Sequence, residues 1–346
     1  MEQTPHKRRV RYKGTHPRTF QEKYKERNPE KYQGEIQKIL QSGKTPAGMH
    51  IPIMVEEILE VLKIQPGEIG YDATLGYGGH SRRMLQALQG QGHLYATDVD
   101  PVESEKTIVR LAEAGFGPDR LTVRRMNFAQ VDQVAPGVLF DFVLADLGVS
   151  SMQIDNPERG FTFKQDGPLD LRLDPTSGVT AAERLAELDQ EELAALLVEN
   201  ADEPYADRIA RAVMQVYRRG DQVATTKQLA ALIEGALSFL PASERKEAVR
   251  KSCQRTFQAL RIDVNSEFEV LYAFLEKLPG VLKPGGRVAV LTFHSGEDRL
   301  VKKAFRQQER EGLYSAVSDG VIRPSSQECH QNPRARSTKL RWAIRA

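Results

Sequence analysis

Cysteine is nearly absent from this chain, which has only Cys253 and Cys329 among its 346 residues. Two cysteines cannot build the disulfide framework that staples small secreted domains. No Cys/His spacing resembles a zinc site, and the adjacent pair Cys329 and His330 does not supply four ligands. We therefore expect no metal and no dependence on disulfides.

Long apolar runs are also missing. No stretch approaches the roughly 18 apolar residues that identify a membrane-spanning helix. The N-terminus is polar and basic, unlike a signal peptide. We therefore expect a cytoplasmic protein with no membrane partner. With 40% hydrophobic and 28% charged residues in 346, the chain can form two domains with a sizeable core.

The net charge of +2 is small but unevenly spread. Residues 1–44 hold twelve Lys/Arg and five Glu, a charge of +7 that leaves −5 for the remainder. Four aromatic residues are interleaved with these cations: Tyr12, Phe20, Tyr24 and Tyr32. Cations neutralise phosphates and rings stack on bases. Segment 1–47 is therefore predicted to be a flexible basic extension, either an RNA-contacting arm or a solvated tail.

One glycine-rich turn follows a short predicted strand at Tyr71-Asp72, with glycines at 76, 78 and 79 before a helix from Ser81. Glycines let the backbone approach a ligand closely, and the helix start offers free N–H groups. The next apolar run ends in Asp98, where a carboxylate can accept both hydroxyls of a ribose. NAD-type and S-adenosylmethionine (SAM) folds share this spacing. The third glycine that a pyrophosphate needs is missing, which favours a SAM-dependent methyltransferase.

A second informative run, 140–146, is almost wholly apolar and predicts a strand buried on both faces. It ends in Asp146, at the edge where open α/β sheets bind ligands. We expect Asp98 and Asp146 to lie on neighbouring strands and to wall one pocket, although Asp146 could instead cap the next helix. Phe128, after a predicted strand at 121–126, is placed either to flank an adenine or to fill the core.

The remaining patterns predict an α/β domain formed by residues 48–154 and 252–346, interrupted by an insertion at 155–251. The insertion begins with a Pro/Gly-broken, charged loop at 155–174 and continues as helices. Three capping-box pairs mark helix starts: Thr180 with Glu183, Asp189 with Glu192, and Thr225 with Gln228. Further helices are predicted at 55–62, 102–114 and 256–278, and later strands at 287–293 and 340–344.

Nine stretches in order resemble the RsmH (MraW) family of bacterial 16S rRNA methyltransferases, from about residue 48 to the end. They are His50-x-Pro-x-Met, Asp72-Ala-Thr-Leu-Gly-Tyr-Gly-Gly-His-Ser, Asp146-Leu-Gly-Val-Ser-Ser, Glu158-Arg-Gly-Phe, Asp166-Gly-Pro-Leu-Asp-Leu-Arg, Arg255-Thr-Phe-Gln-Ala-Leu-Arg-Ile, Val264-Asn-Ser-Glu, Phe293-His-Ser and Asn332-Pro-Arg-Ala-Arg-Ser. The chain departs from the family in two places. Gly296 stands where the family usually has Leu, and the basic extension is longer than expected.

The resemblance implies a class I SAM-dependent methyltransferase, with a Rossmann-like seven-stranded sheet and an inserted helical domain that recognises RNA. The implied reaction moves the methyl group of SAM to N4 of a cytidine in the decoding centre of 16S rRNA, within the small ribosomal subunit, leaving S-adenosylhomocysteine (SAH). The implied SAM contacts are Gly78, Gly79, His80, Asp98, Phe128, Asp146 and Gln153.

For the chemistry, we hypothesise that Asp146 and the carbonyls of Leu147 and Gly148 accept the protons of the cytosine amine, unless Asp146 is committed to SAM. Aromatic candidates for stacking on the splayed base, each of which could instead be core, are Phe161, Phe163, Phe293 and His294. Candidates for phosphate contacts are Arg159, Arg172, Arg255, Arg261, Arg334 and Arg336. The alternatives are a methyltransferase acting on another RNA and a non-catalytic RNA-binding assembly protein.

Overall fold

The computed structural model describes residues 52–346, and within them seven strands form one sheet. The strands are β1 Ile69–Asp72, β2 His93–Asp98, β3 Leu121–Arg125, β4 Phe140–Asp146, β5 Leu282–Thr292, β6 Tyr314–Val317 and β7 Lys339–Arg345. Their order across the sheet is β3-β2-β1-β4-β5-β7-β6. Neighbours from β3 to β5 run parallel, whereas β7 runs antiparallel to both β5 and β6.

Helices cover both faces of this sheet. Those around the strands are α1 Val55–Leu62, α2 Gly79–Ala87, α3 Pro101–Glu113, α4 Val131–Val134 and α5 Ser151–Asp155, followed after the insertion by α11 Glu267–Val281, α12 Ser295–Arg310 and α13 Ser326–Gln331. Along β4, Phe142 and Leu144 join the core on one face, and Val143 and Ala145 join the core on the other. This alternation confirms the prediction of a strand buried on both faces.

Between α5 and α11 lies a helical insertion with a core of its own. It consists of α6 Ala181–Glu187, α7 Gln190–Ala201, α8 Ala206–Arg218, α9 Thr226–Ala236 and α10 Ala242–Val264. The three predicted capping boxes are confirmed, since Thr180, Asp189 and Thr225 each accept the expected backbone N–H at the starts of α6, α7 and α9. These starts were predictable because each box is a contact within four residues.

The predicted single helix at 256–278 is wrong. α10 ends at Val264 and α11 begins at Glu267, because Ser266 takes a left-handed backbone with φ of 48°. Asn265 uses the break to accept the N–H of Leu173 at 2.7 Å and to donate to the carbonyl of Leu171 at 2.8 Å. The break between α10 and α11 therefore places Asn265 where it holds the loop that leads into the insertion.

Two further differences concern boundaries. α10 runs through the predicted insertion boundary at residue 251, and the insertion core continues to Cys253, Phe257 and Leu260. Strand β6 was not predicted at all. No helix within residues 52–346 is both long and apolar enough to cross a bilayer. The predictions for segment 1–47 and for His50 lie outside the described residues.

Candidate active site

Three parallel strands end in aspartates at one edge of the sheet: β1 in Asp72, β2 in Asp98 and β4 in Asp146. Because β1 lies between β2 and β4, the expectation that Asp98 and Asp146 lie on neighbouring strands is wrong. Both nevertheless bind the turn after β1. The N–H of Gly76 donates to Asp98 Oδ2 at 2.7 Å, and the N–H of Asp146 donates to Thr74 Oγ1 at 2.7 Å. The turn after β1 therefore connects Asp98 to Asp146.

Asp72 has a structural role that the sequence did not indicate. Its side chain is buried, accepts the N–H of Thr74 at 3.1 Å and accepts the hydroxyl of Ser81 at 2.5 Å. Burial raises the pKa of this carboxyl, and its hydrogen bonds only partly oppose that effect. Asp72 therefore fixes the glycine turn against the first turn of α2.

Asp98 keeps acceptor capacity at the place where a ribose acceptor is predicted, and the ribose contact itself stays a prediction. Oδ2 accepts the N–H of Gly76, and Oδ1 accepts the N–H of Asp100 at 2.9 Å. Each carboxylate oxygen has a second lone pair, which leaves one acceptor site per oxygen for the two hydroxyls of a ribose. Burial raises the pKa of Asp98 to about 6, although both hydrogen bonds favour the ionised form.

The start of α2 explains the glycines. Gly78 is the N-cap residue with φ of 72°, and a Cβ there would lie 2.7 Å from Cγ2 of Thr107 in α3. No side chain caps this helix, and its first turn, which begins with Gly79, contains no acidic residue. The N–H groups of that turn can therefore receive an anionic group such as the carboxylate of SAM.

His80, which the resemblance implied as a SAM contact, directs its ring elsewhere. Nε2 lies 2.9 Å from the carbonyl oxygen of Ile53, and Nδ1 lies 3.4 Å from Asp146 Oδ2. Both partners are acceptors, so the doubly protonated ring satisfies both. Burial would lower the pKa of His80, but the contacts with Asp146 and Ile53 outweigh it and raise the pKa. The imidazole therefore orients Asp146, and a SAM contact by His80 stays a prediction.

Asp146 has an unusual environment for a carboxylate. Oδ2 faces His80, whereas Oδ1 is buried and has no hydrogen-bond partner within residues 52–346. A buried oxygen without a donor is costly, so Oδ1 at this edge of the sheet is a candidate acceptor for a ligand group. Asp146 is not the cap of the next helix, because Ser150 and Gln153 form the capping box of α5. That alternative is excluded.

Gln153 and Phe128, the other two implied SAM contacts, are each held by the protein. Gln153 Oε1 accepts the N–H of Ser150 at 2.9 Å, and its Nε2 donates to Asp100 Oδ2 at 3.1 Å. Phe128 packs edge-on against Phe274 of α11, with ring centroids 5.1 Å apart. Both positions are compatible with SAM binding, which stays a prediction for these two side chains.

Three arginines predicted to contact phosphates are committed to carboxylates. Arg159 lies 2.7 Å from Asp100 Oδ2, Arg172 forms a two-pronged pair with Asp170, and Arg261 does the same with Glu267. These pairs hold loops and helix ends, and they leave the predicted phosphate contacts without support.

The other three arginines are more accessible. Arg334 pairs with Asp155 at 2.9 Å yet leaves 38% of its side chain exposed. Arg255 is half-buried and Arg336 is exposed, and neither has an ion pair within the part of the chain that the structure describes. Phosphate contact remains a prediction for these three residues.

The four aromatic candidates for base stacking also divide into residues that are packed in a core and residues that lie near the predicted site. Phe161 is buried in the insertion core, and Phe163 packs on Phe257 with ring centroids 5.4 Å apart, so the structure gives no support for base stacking by these two. The ring of Phe293 is 3.7 Å from the position that a Cβ on Gly148 would take. Phe293 therefore borders the loop that follows Asp146 and remains a candidate.

His294 belongs to a charged cluster at the start of α12. The cluster consists of Glu267, His294 and Glu297. One potential metal-ligand atom from each residue lies within 4.8 Å of the other two, so the cluster could hold a cation. Arg261, however, already binds both carboxylate oxygens of Glu267 at 2.7 and 2.8 Å. Burial would raise the pKa of Glu297, but the contacts with His294 and Arg261 hold it below its ordinary value. The guanidinium supplies the compensating charge, and the cluster joins α10 to α12.

Together, the strand order and the residues at the carboxyl edge of the sheet identify the class of protein. Five parallel strands in the order β3-β2-β1-β4-β5, with β7 antiparallel between β5 and β6, form the sheet of class I SAM-dependent methyltransferases. The uncapped turn of α2, the carboxylate of Asp98 and the unpaired oxygen of Asp146 fit the carboxylate, the ribose and the transfer end of SAM. Residues 47–346 match the model of the MraW methylase family, and the chain belongs to that family.

Named relatives cover almost the whole chain. Ribosomal RNA small subunit methyltransferase H 1 of Lachnoclostridium phytofermentans is 64% identical over 342 residues, 99% of this chain and 93% of that protein. The protein of the same name from Agathobacter rectalis is 62% identical over 346 residues, 100% of this chain and 99% of that protein. Ribosomal RNA small subunit methyltransferase H of Thioalkalivibrio sulfidiphilus is 43% identical and covers 88% of this chain and 99% of that protein. Residues 1–46 lie outside the family model.

Proposed function

We propose that this protein transfers the methyl group of SAM to the exocyclic N4 of a cytidine in the decoding centre of 16S rRNA. The names of the relatives support small-subunit rRNA as the substrate. The resemblance of the motifs supports cytidine N4 as the acceptor. The observation that carries the proposal is the buried, unpaired Oδ1 of Asp146 at the carboxyl edge of the sheet.

The amine of cytosine needs help because its lone pair is delocalised into the ring. SAM supplies a methyl group that the sulfonium has already activated, so the protein mainly positions the amine and excludes water. Asp146 Oδ1 accepts one N–H of the amine, which favours a pyramidal nitrogen and stabilises the charge that develops on it. His80 holds Oδ2 and so keeps Oδ1 directed at the acceptor.

The bonds and protons balance within this site. A nitrogen–carbon bond forms as the sulfur–carbon bond breaks, and the product is SAH. The methylated nitrogen then carries one proton too many, and Asp146 Oδ1 is placed to take that proton and pass it to water. The carbonyls of Leu147 and Gly148 are further acceptors for the second amine proton.

The rest of the chain would bring the RNA to this site. A cytidine must leave its stack to reach the methyl group, and Phe293 beside Gly148 is the candidate for stacking on it. The helical insertion, predicted at 155–251 and extended by its core to Leu260, is proposed to recognise the RNA. The basic segment 1–47 is proposed to add phosphate contacts. Ribosomal RNA as substrate implies action in the cytoplasm, on the small subunit.

The deciding experiment is mass spectrometry of 16S rRNA from cells with and without this protein, joined to methyl transfer by the purified protein. Asp146→Asn is expected to lower kcat by about 10²-fold at saturating SAM, the usual loss when one preorganised transition-state partner is removed. The matched control, Asp132→Asn, changes an exposed carboxylate paired with Lys277 and is expected to keep kcat unchanged.

Each other outcome decides between the alternatives. Normal turnover by Asp146→Asn would contradict the catalytic role. Methylation of another RNA, with unmodified 16S rRNA, would make this a methyltransferase of different specificity. No methyl transfer to any RNA, with RNA binding intact, would leave a non-catalytic assembly protein.

A further inference from the structure

Asp100, two residues beyond the ribose acceptor, is a buried carboxylate with four donors around it. Its Oδ1 accepts the N–H groups of Val102 and Glu103 at 3.1 and 3.3 Å, which caps α3. Its Oδ2 accepts Gln153 Nε2 at 3.1 Å and Arg159 Nη1 at 2.7 Å. The residue is 1% exposed. Capping a helix needs only one oxygen, so the second oxygen serves another purpose.

One side of Asp100 connects to the SAM contacts. Its own N–H donates to Asp98 Oδ1 at 2.9 Å, which orients the ribose acceptor. Its carboxylate fixes the amide of Gln153, another of the implied SAM contacts, whose Oε1 is already held by the N–H of Ser150. The position of Asp100 therefore sets two of the groups that are predicted to receive SAM.

The other side of Asp100 connects to the loop that leads into the insertion. The guanidinium of Arg159 bridges the carboxylate of Asp100 to the carbonyls of Arg172 and Leu173, at 3.0 and 2.8 Å. Arg159 is 14% exposed, so this ion pair is largely shielded from water. A second tie from the insertion side, the amide of Asn265, holds the same stretch of backbone. The loop 156–174 is thereby attached to the end of β2.

We propose that Asp100 is a positioning residue for methyl transfer, which fixes the SAM-binding groups and loop 156–174 in one arrangement. This inference rests on the proposed function. SAM bound against Asp98 and Gln153 stabilises the same position of Asp100 that anchors Arg159. Binding of SAM and ordering of loop 156–174, which leads into the insertion proposed to recognise RNA, are therefore coupled, and each favours the other.

An aspartate suits this place because it only accepts hydrogen bonds. All four partners of Asp100 are donors, and an ionised carboxylate has acceptor sites for all of them. In Asp100→Asn, one oxygen becomes an NH2 group that faces N–H donors. The amide can still cap α3 through its remaining oxygen, but it then repels Gln153 and Arg159. The substitution therefore breaks the coupling while it keeps the helix cap.

The test compares hydrogen exchange of the full-length protein with and without SAH. In the wild type, SAH is expected to slow exchange in residues 156–174 as well as at the glycine turn. In Asp100→Asn, SAH is expected to protect the turn but no longer the loop. In methyl transfer, the KM for small-subunit rRNA is expected to rise about tenfold or more, since displaced positioning groups cost that much.

Two further variants separate positioning from a structural role. Arg159→Gln removes the loop tie and keeps the cap intact, so it answers the same question if Asp100→Asn does not fold. The double variant is expected to be no worse than the worse single variant, because both remove one interaction. Arg125→Gln, which cuts the separate ties from β3 to Asp174 and Thr176, is the matched control and is expected to keep the SAH effect on the loop.

Loop protection by SAH that is equal in the wild type and Asp100→Asn would overturn the proposal, and so would additive effects of the two single variants. The exchange measurement uses SAH alone. It therefore gives a result even if small-subunit rRNA proves not to be the substrate, and the two failures are distinguishable.

Discussion

Asp98 combines two requirements that oppose each other. In its predicted role the carboxylate must be ionised to accept two ribose hydroxyls, yet burial raises its pKa to about 6. The charges of Asp100 and Asp72 act in the same direction as burial. Below that pKa the carboxyl carries a proton on one oxygen and loses an acceptor site, so binding of the ribose should weaken as the pH falls below the pKa.

We therefore expect the affinity for SAH to rise with pH up to about 6 and then to level off. Each pH unit below the pKa should weaken binding about tenfold, because only the ionised fraction binds well. Isothermal titration calorimetry between pH 5 and pH 8 measures this. Asp98→Asn should bind SAH weakly and lose most of the dependence between pH 5 and 7. A wild-type affinity that stays constant from pH 5 to 7 would contradict the assignment.

Individual site residues could be predicted only where their position in the chain fixes their place. Asp98 and Asp146 stand at the ends of apolar runs, and the carboxyl edge of a parallel sheet collects such residues. Asp72 and Asp100 also end or follow strands, but their roles depend on donors that only the fold brings together. For Arg261 the sequence suggests a phosphate contact, whereas the fold pairs its guanidinium with Glu267. Glu267 comes within reach of Arg261 only because the helix breaks at Ser266.

Among the elements, the junction of α2 and α3 depends on a glycine at position 78. That residue has φ of 72°, and a Cβ would lie 2.7 Å from Thr107. Gly78→Ala is expected to lower the free energy of unfolding by about 2–4 kcal/mol, from backbone strain and overpacking together. Chemical denaturation measures this loss.

A control for Gly78→Ala lies just beyond the C-terminal end of α3. Gly115 has φ of 88°, and no atom lies within 4 Å of the position that a Cβ would take there, so Gly115→Ala carries the backbone cost without the clash. It is expected to cost about 1 kcal/mol. Equal losses for the two variants would show that α3 moves aside and that the close packing at Gly78 is not required.

The start of α12 explains why Gly296 departs from the leucine that the family resemblance leads one to expect. A Cβ on Gly296 would lie 2.6 Å from Cζ of Phe268, so the ring of Phe268 fills the space that a side chain at 296 would need. We expect Gly296→Leu to destabilise the protein by about 1–3 kcal/mol through overpacking. Thermal unfolding of Gly296→Leu alone and together with Phe268→Ala measures this effect.

The second substitution provides the check on that explanation. Phe268→Ala alone should destabilise the protein through a cavity, and the double variant should recover part of both losses, because the leucine fills the space of the ring. Losses that simply add would mean that the two positions do not compete for the same space.

At the scale of the whole molecule, the sequence predicts features that depend on local contacts and misses those that depend on contacts between distant parts of the chain. The helices of the insertion follow from local caps and apolar stripes, whereas β6 has four residues and is defined by its pairing with β7. The insertion boundary predicted at 251 falls inside α10, which runs from Ala242 to Val264 without a break. The family resemblance implies SAM contacts that stay predictions, whereas side-chain partners such as His80 with Asp146 are seen only in the fold.

The charges that face solvent should determine how tightly the protein binds RNA as salt increases. Arg336 is exposed and free of ion pairs within residues 52–346, whereas Arg172 is held by both oxygens of Asp170. If Arg336 contacts a phosphate, Arg336→Gln should reduce the slope of log affinity against log salt by about 1, whatever the RNA sequence. Arg172→Gln, the matched control, should leave the slope unchanged. Filter binding of small-subunit rRNA between 50 and 200 mM salt, a range in which such slopes are readily resolved, provides the measurement. A slope for Arg336→Gln equal to that of the wild type would remove Arg336 from the RNA-binding surface.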